Sequence, residues 1–412
     1  MTPERAIELA VKNNLQTILA QEQREEVQGR VWQSLSALLP NVSGRVGRLN
    51  TSVNLAAQGF PPELLAGQSA VFAYDTFDAR LELVQTLFSL SAIRRYQSSH
   101  IEKKIADSQL VFAKEQVTNA ALLGYLELVR AEQSVKAAQA NVELARSLLK
   151  LAQNQRDAGL ATALDVVRAG TRLSDEEVKL VQAETNAERA RLGLLRVTGL
   201  PLDQNLVLTS ELRYLPETLP EEQKAIESAL TERLEVQIAS QQLKRQELDQ
   251  KASQADWTPS VEAVADYGLS GPRPGQLTLP TRTFGVRVNV PIFDGGATYG
   301  RILESTSRKR QALAQLADVQ TQVKQDVRLA VKTLALAGTQ LTSAEQGLSL
   351  AQRELELARE RFEVGLGDNI EVTNAQTALA NARDVRIQAL YQYTAARINL
   401  AAALGRIEAF QW

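Results

Sequence analysis

The chain contains no cysteine and only one histidine, His100. The first absence excludes disulfides, thiolate metal sites, cysteine nucleophiles and a lipid-modified N-terminal Cys. It suits an oxidising envelope without requiring one. The second excludes multi-histidine metal centres and leaves any Ser-His-Asp triad dependent on a residue set in the charged stretch "HIEKK". Aromatics make up only 5% of the residues, too few for a broad aromatic core. No apolar run approaches the roughly 18–20 residues of a transmembrane helix, so entry into a membrane would have to use strands.

Charge of one sign is lacking too. Lys and Arg number 46 against 48 Asp and Glu, for a net charge of −2, with no basic stripe to follow a phosphate backbone; nucleic acid is excluded as a partner. The glycine-rich "GGATYG" at 295–300 lacks the Lys-Ser/Thr ending of a phosphate loop and sits where a strand gives way to a helix. No motif gathers a nucleophile, a base and an orienting group. The sequence implies no enzyme, no cofactor and no metal. Nor is there an apolar signal region: "MTPERAIELA" opens directly as an amphipathic helix, with Thr2 as N-cap and Pro3 in the first helical position. Because export requires a signal, the chain reads as mature or trimmed, the alternative being a cytosolic protein.

What is present is a duplication. "RDAGLATALDVV" (156–167) returns as "FEVGLGDNIEVT" (362–373), with Gly159 and Gly365 separated by 206 residues, half of the 412-residue chain. The same period relates two seven-residue apolar series. Leu128, Val135, Val142 and Leu149, interleaved with Ala131, Ala138, Ala145 and Ala152, become Leu334, Leu341, Leu348 and Leu355, interleaved with Ala337, Ala344, Ala351 and Ala358. A heptad seam keeps one helix face toward a partner, and alanine lets that partner approach closely. Two long helices follow, over 97–156 and 298–362, each about 60 residues or about 90 Å long. Each ends at a Gly-Leu tip, and a second helix returns to Gly199 or Gly405.

Ahead of each long helix the apolar period falls from seven to two. Phe284, Val286, Val288, Val290 and Ile292 alternate with polar or small residues, as do Val261, Ala263, Ala265, Tyr267 and Leu269, with "GPRPG" in the loop between. Matching runs occupy 41–57 and 72–88 around "QGFPPELLAGQ". The apolar phase slips between Val46 and Leu49, which predicts a bulge near Gly47. Trp32, Trp257 and Trp412 are candidate interfacial anchors, but only Trp257, two residues before Pro259, lies next to a strand; the alternative is plain packing.

The order is helix, strand hairpin, long helical hairpin, written twice. The first repeat covers 1–206, with its strands at about 41–88 and its helical hairpin at about 97–198. The second covers 207–412, with a helix at about 220–256, strands at about 258–293 and a helical hairpin at about 298–404. The two are expected to form one intertwined domain, with the aperiodic connection 201–220 lying against its outside. Four strands cannot close a barrel, and an open edge in lipid leaves costly unpaired backbone groups. Closure by copies of the chain solves this; three copies would supply twelve strands.

In this arrangement, and in "AIELAVKNN", "LFSL", "IFDGG" and the tips "AGL" (158–160) and "VGL" (364–366), the sequence resembles the TolC family of outer-membrane efflux proteins over nearly its whole length. The resemblance implies a mainly α fold with a β-barrel part: a homotrimer with a twelve-stranded transmembrane barrel in the outer-membrane lipid, continuous with a twelve-helix periplasmic α-barrel. The 201–220 connection would then lie in the equatorial region. It also implies a passive exit duct for efflux or type I secretion, joined through a periplasmic adaptor to an inner-membrane pump. The competing reading from the residues alone is a soluble, oligomeric coiled-coil scaffold.

The same resemblance supplies site expectations. Gly159, Leu160, Gly365 and Leu366 are expected at the rim that meets the adaptor, besides ending helices. Glu371 is expected in a ring at the narrowest point of the lumen, with Asn374 where a second acid often stands. Phe362 takes the place of a tyrosine whose hydroxyl would reach Asp165, and Gly367 that of an arginine that makes another link. Two latches are therefore absent. The alternative is that Glu371 simply caps the return helix, where an acid near the N-terminus is favoured.

Overall fold

The structure, a computed structural model, describes residues 1–59, 71–209, 212–364 and 366–412. In chain order the elements are α1 (Pro3–Asn13), α2 (Leu15–Ser36), β1 (Asn41–Asn54), β2 (Val71–Phe88), α3 (Leu90–Asp157) and α4 (Ala163–Thr198). Then come α5 (Glu222–Glu232), α6 (Leu234–Ala255), β3 (Ser260–Gly271), β4 (Leu279–Asn289), α7 (Ala297–Glu363) and α8 (Asn369–Ala403). None of the 12 prolines falls inside α3, α4, α7 or α8, so nothing interrupts their backbone ladders. At 68 and 67 residues, α3 and α7 are each about 100 Å long at 1.5 Å per residue. Two compact units share these elements.

The first unit comprises Met1–Arg24, Ala106–Ala239 and Leu316–Trp412. Thr2 caps α1 as its sequence predicts, the hydroxyl accepting from Arg5 N–H at 3.3 Å, with Pro3 in the first turn. Along the heptad seams Leu128, Ala131, Ala138, Val142, Ala145 and Ala152 are buried in α3, and Leu334, Ala337, Leu341, Ala344, Ala351, Leu355 and Ala358 in α7. Val135, Leu149 and Leu348 are half-buried. The main core joins these residues to Leu194 and Leu195 of α4 and to Leu390, Tyr393 and Ile398 of α8.

The segment linking the two halves is tied to this core by polar bonds. Tyr393 donates its hydroxyl to Leu215 O at 3.1 Å and accepts from Glu217 N–H at 3.1 Å, while Arg397 holds the Glu217 carboxylate at 2.6 Å. Arg191 donates to Gln204 O at 2.7 Å. Tyr125 reaches Met1 O at 3.0 Å and meets Trp412 edge-on, which settles Trp412 as a packing residue.

Each half also contains a joint. α1 and α2 are parted by Asn14, and α5 and α6 by Arg233, both in extended conformation. Gly199 and Gly405, at φ 66° and 72°, end the return helices against these joints. A Cβ on Gly199 would stand 2.6 Å from Asn13 Cβ, so only glycine permits that approach. Asn14 donates to Val197 O at 3.0 Å in the first joint. In the second, Arg233 ties Glu235 to Asp326.

Beside Arg233 lies a cavity of about 420 Å³ with Glu115, Asn119, Asp326 and Asn399 in its wall. Burial, reinforced by Glu408 and Glu235 and opposed by Arg233, raises the Glu115 carboxyl to about 7.

The second unit comprises Glu25–Ile105 and Ser240–Gln315. Its sheet runs β1-β2-β3-β4, antiparallel throughout, with β1 and β4 as open edges. The bulge predicted near Gly47 is absent. The β1–β2 ladder runs unbroken from Asn41↔Val84 to Asn54↔Val71, and the single register shift falls between Thr86 and Phe88 against β3. The apolar phase slips at Val46 for another reason: from Arg48 on, β1 no longer belongs to an apolar band, and Arg48 and Asn50 bind Asp75 at 2.9 and 2.7 Å.

Cross-strand partners share a face, so the register sorts every side chain. One face carries Val42, Val46, Phe77, Leu81, Leu83, Ala265, Tyr267, Leu269, Phe284, Val286 and Val288. The other carries Arg45, Asp78, Arg80, Glu82, Asp266 and Thr283. On this polar face Arg45 pairs with Glu82 at 3.3 Å, and Arg80 with Asp78 at 2.6 Å and Asp266 at 3.1 Å. Arg80 passes over Gly268, where any Cβ would collide with its stem. At the helix-bearing end, Asp256 takes Arg95 at 2.7 Å and Arg301 at 3.2 Å, joining the starts of α3 and α7 to the end of α6.

Glu115 yields a pH prediction. Its folded value of about 7 exceeds the unfolded value near 4.5, so the folded state binds the extra proton between them. Stability should therefore fall as pH rises from 5 to 8, and Glu115→Gln should raise the melting temperature at pH 8 while flattening the dependence. Thermal melts across that range check it.

Candidate functional site at the helical hairpin tips

At the first tip α3 runs out at Asp157, and Gly159, at φ 76°, turns the chain. Gly159 N–H bonds to Arg156 O at 2.9 Å and Leu160 N–H to Gln155 O at 2.8 Å, which satisfies the last carbonyls of the helix. Leu160, freed by that turn, is 67% exposed. α4 then starts on a reciprocal cap. Thr162 Oγ1 accepts from Asp165 N–H at 3.3 Å, and Asp165 Oδ2 accepts from Thr162 N–H at 2.8 Å and its hydroxyl at 2.7 Å. These bonds from the Thr162 side chain and backbone, with Arg168 nearby, hold the Asp165 carboxyl below the usual carboxylate range. Asp165 therefore has a local partner in Thr162.

The second tip is built alike but capped differently. Gly365 lies outside the described residues. Leu366 and Gly367 both donate to Arg361 O, at 2.9 and 3.1 Å, and Leu366 is 75% exposed. Asp368 is the N-cap of α8, its Oδ1 accepting from Glu371 N–H at 2.9 Å. The Glu371 side chain thus does not cap the helix. It lies 3.4 Å from Arg361 Nε, and a Cβ on Gly367 would press on both Arg361 and Glu371 at 3.2 Å. Gly367 thereby makes room for the Arg361–Glu371 pair. Asn374 is exposed on the first turns of α8.

The two tips are joined by Asn369, which is 5% exposed and donates to Asp165 O at 2.9 Å. Phe362 is buried with Ala358, Val372, Ala375 and Leu379, so its ring fills the wedge between α7 and α8. The structure thus groups Gly159, Leu160, Thr162 and Asp165 at one tip, and Arg361, Leu366, Gly367 and Glu371 at the other.

Sequence reasoning missed three features here. Arg361 was hidden because its partner lies ten residues on, across a turn. Asn369 looked like one more polar residue at a helix start.

The third is a polar layer between α3, α4 and α8. Glu176 is 1% exposed; its Oε1 lies 2.7 Å from Arg172 and accepts from Lys179 at 3.1 Å, while Oε2 has no partner among the described residues. Arg383 donates to Asn141 Oδ1 at 2.5 Å. Asp384 shares a cavity of about 330 Å³ with Glu176 and Asn141, and partial desolvation, opposed by Lys179 and reinforced by Glu176, pushes its carboxyl up. Charges spaced three and four apart read in sequence as a solvated face, which is why the layer was not visible there.

The cap at Thr162 sets a measurable quantity. Thr162→Ala removes one acceptor and one donor and should cost about 1 kcal/mol of local stability. Amide exchange should quicken at the start of α4 and stay unchanged at the start of α8.

The chain matches the outer membrane efflux protein family over residues 6–200 and 225–406, one stretch in each half, leaving out most of the connecting segment. Among its relatives are the proteases secretion protein PrtF of Dickeya chrysanthemi, 24% identical over 98% of this chain and 87% of that one, and the outer membrane protein TolC of Escherichia coli K12, 23% identical over 80% and 69%. The fold is shared with the outer membrane channel CmeC of Campylobacter jejuni, at a TM-score of 0.85 and 18% identity over 98% of this chain and 86% of that one. The outer membrane protein VceC of Vibrio cholerae shares it equally, at 0.85 and 18% over 98% and 96%. With family and fold in agreement over both repeats, the chain belongs to the outer membrane efflux protein family: an outer-membrane exit duct with a periplasmic extension.

Proposed function

We propose that the chain is one third of a homotrimeric channel-tunnel, with twelve strands closing a barrel in the outer membrane and twelve hairpin helices continuing it into the periplasm. The observation that carries this reading is the two-faced sheet with two open edges. Val46, Leu81, Tyr267 and Phe284 stand 61–78% exposed on one face, while Arg45, Arg80, Glu82 and Asp266 are paired on the other. An apolar face is suited to lipid and an ion-paired face to an aqueous lumen. Edge pairing between copies would satisfy β1 and β4 together. In this assembly repeats 1–206 and 207–412 form one intertwined domain, with the 201–220 connection at its equator.

The exposed leucines at the tips, Leu160 on a turn made by Gly159, form the rim that a periplasmic adaptor grips, and an inner-membrane pump supplies the energy. Relatives named for the secretion of proteases, such as PrtF, and for pyoverdine export, such as OpmQ of Pseudomonas aeruginosa, support a duct serving either type I secretion or efflux. Family members are channels, and the role proposed for this chain is passive.

Glu371 is the gate acid of this reading, in three copies near the axis, and Arg361 tempers it. Removing a carboxylate from a narrow ring lowers its attraction for cations. In planar bilayers the purified trimer should conduct with cation preference. Glu371→Gln should weaken that preference and divalent block, while Arg361→Gln should strengthen both. A non-conducting monomer would refute the assembly; conduction with unaltered selectivity in both variants would place the constriction elsewhere. For the tips, Leu160→Asp or Leu366→Asp should abolish export while trimer and insertion persist. Normal export at normal protein levels would reduce these leucines to parts of turns.

A further inference from the structure

The apolar face of the sheet meets a charged residue on three strands. Toward the hairpin end, the series Val42, Val46 on β1 stops at Arg48; Leu83, Leu81, Ala79, Phe77 on β2 meets Asp75, with Ala73 and Val71 beyond it; and Val288, Val286, Phe284 on β4 meets Arg282. On β3 the series closes with Leu269 and Gly271, and Arg273 follows in the turn. Three guanidinium groups thus follow the apolar series on β1, β3 and β4, and two of them meet one carboxylate. Arg48 and Arg273 share Asp75, at 2.9 and 3.9 Å, and remain 57% and 63% exposed. Arg282, directly opposite Tyr267 and two residues from Phe284, is exposed and has no hydrogen bond or ion pair among the described residues.

The opposite margin differs. At the helix-bearing end the same face carries Gln85, Val261 and Val288 and no charged residue, with Trp257 just below β3. An unpaired arginine between apolar neighbours at the edge of a lipid-facing band is costly unless an anion meets it there. Only the hairpin-end margin therefore calls for a negatively charged neighbour.

We propose that Arg48, Arg273 and Arg282 form a docking margin for the phosphate groups of an anionic lipid in the leaflet at the hairpin end of the barrel. The inference rests on the closed-barrel reading, which makes this the outer leaflet, since all four strands join their helices at the other end. Because β4 and β1 are the two edges, closure would set the strand of Arg282 beside that of Arg48 in the next copy. Guanidinium suits phosphate through paired N–H donors, while Tyr267, Phe77 and Phe284 cover the acyl chains beneath.

Native mass spectrometry of the detergent-purified protein, titrated with diphosphoryl lipid A and with neutral phosphatidylcholine, tests the proposal. Wild type should retain lipid A preferentially, and each of Arg48→Gln and Arg282→Gln should weaken its retention about fivefold. Arg45→Gln, on the polar face, should leave it unchanged. Equal retention by the margin variants, an equal loss in Arg45→Gln, or displacement of lipid A by inorganic phosphate would each overturn it. Pore formation by the same preparations in phosphatidylcholine bilayers reports separately on the barrel, so failure of the margin and failure of the barrel are distinguishable.

Discussion

Backbone hydrogen bonding at the rims of the sheet governs this molecule. A strand edge has a row of N–H and C=O groups that water can satisfy and hydrocarbon cannot, at several kcal/mol per orphaned group. β1 and β4 each present such a row, while the face they share is apolar over the height of its band. A sheet of this kind is unsuited to water because of its face and to lipid because of its edges. The proposed association of copies through those edges would resolve both conflicts. With two strands from each half, each copy would bring a four-stranded share of such a wall.

The helices answer a different constraint. Spans of about 100 Å cannot rest on a globular core, so their stability is distributed along alanine-rich seams that allow close approach, in clusters spaced from the joints to the tips. Polar bonds fix the ends: the Asn14 and Arg233 joints, and caps at Thr162 and Asp368. The polar layer around buried Glu176, with Arg383 and Asp384 at its margin, interrupts the apolar seam between them, at a cost in stability that a plain helical strut would not bear.

Much of this was legible because it is periodic. Heptads, strand alternation and a repeat of 206 residues each leave a signal that survives without knowledge of contacts, and the Thr2 cap is a local pattern of the same type. Interactions that depend on geometry across a turn or between helices left none. Arg361 meets Glu371 beside Gly367, where a side chain would crowd both, and Asn369 reaches Asp165 across 204 positions of sequence. The slip in the apolar phase at Val46 was a true signal read wrongly: it marks the upper limit of the apolar band, not a bulge, and the pairing of Arg48 and Asn50 with Asp75 explains it.

The most direct measurement concerns the two edges. Since the chain has no cysteine, a pair can be introduced cleanly, with Ser43→Cys on β1 and a short scan of Thr281→Cys, Thr283→Cys or Gly285→Cys on β4. Under oxidation in membranes, closure through three copies predicts that at least one pairing yields covalent dimers and trimers and nothing larger. A ladder extending past the trimer, or no intermolecular product from any pairing across the scan, would contradict the account.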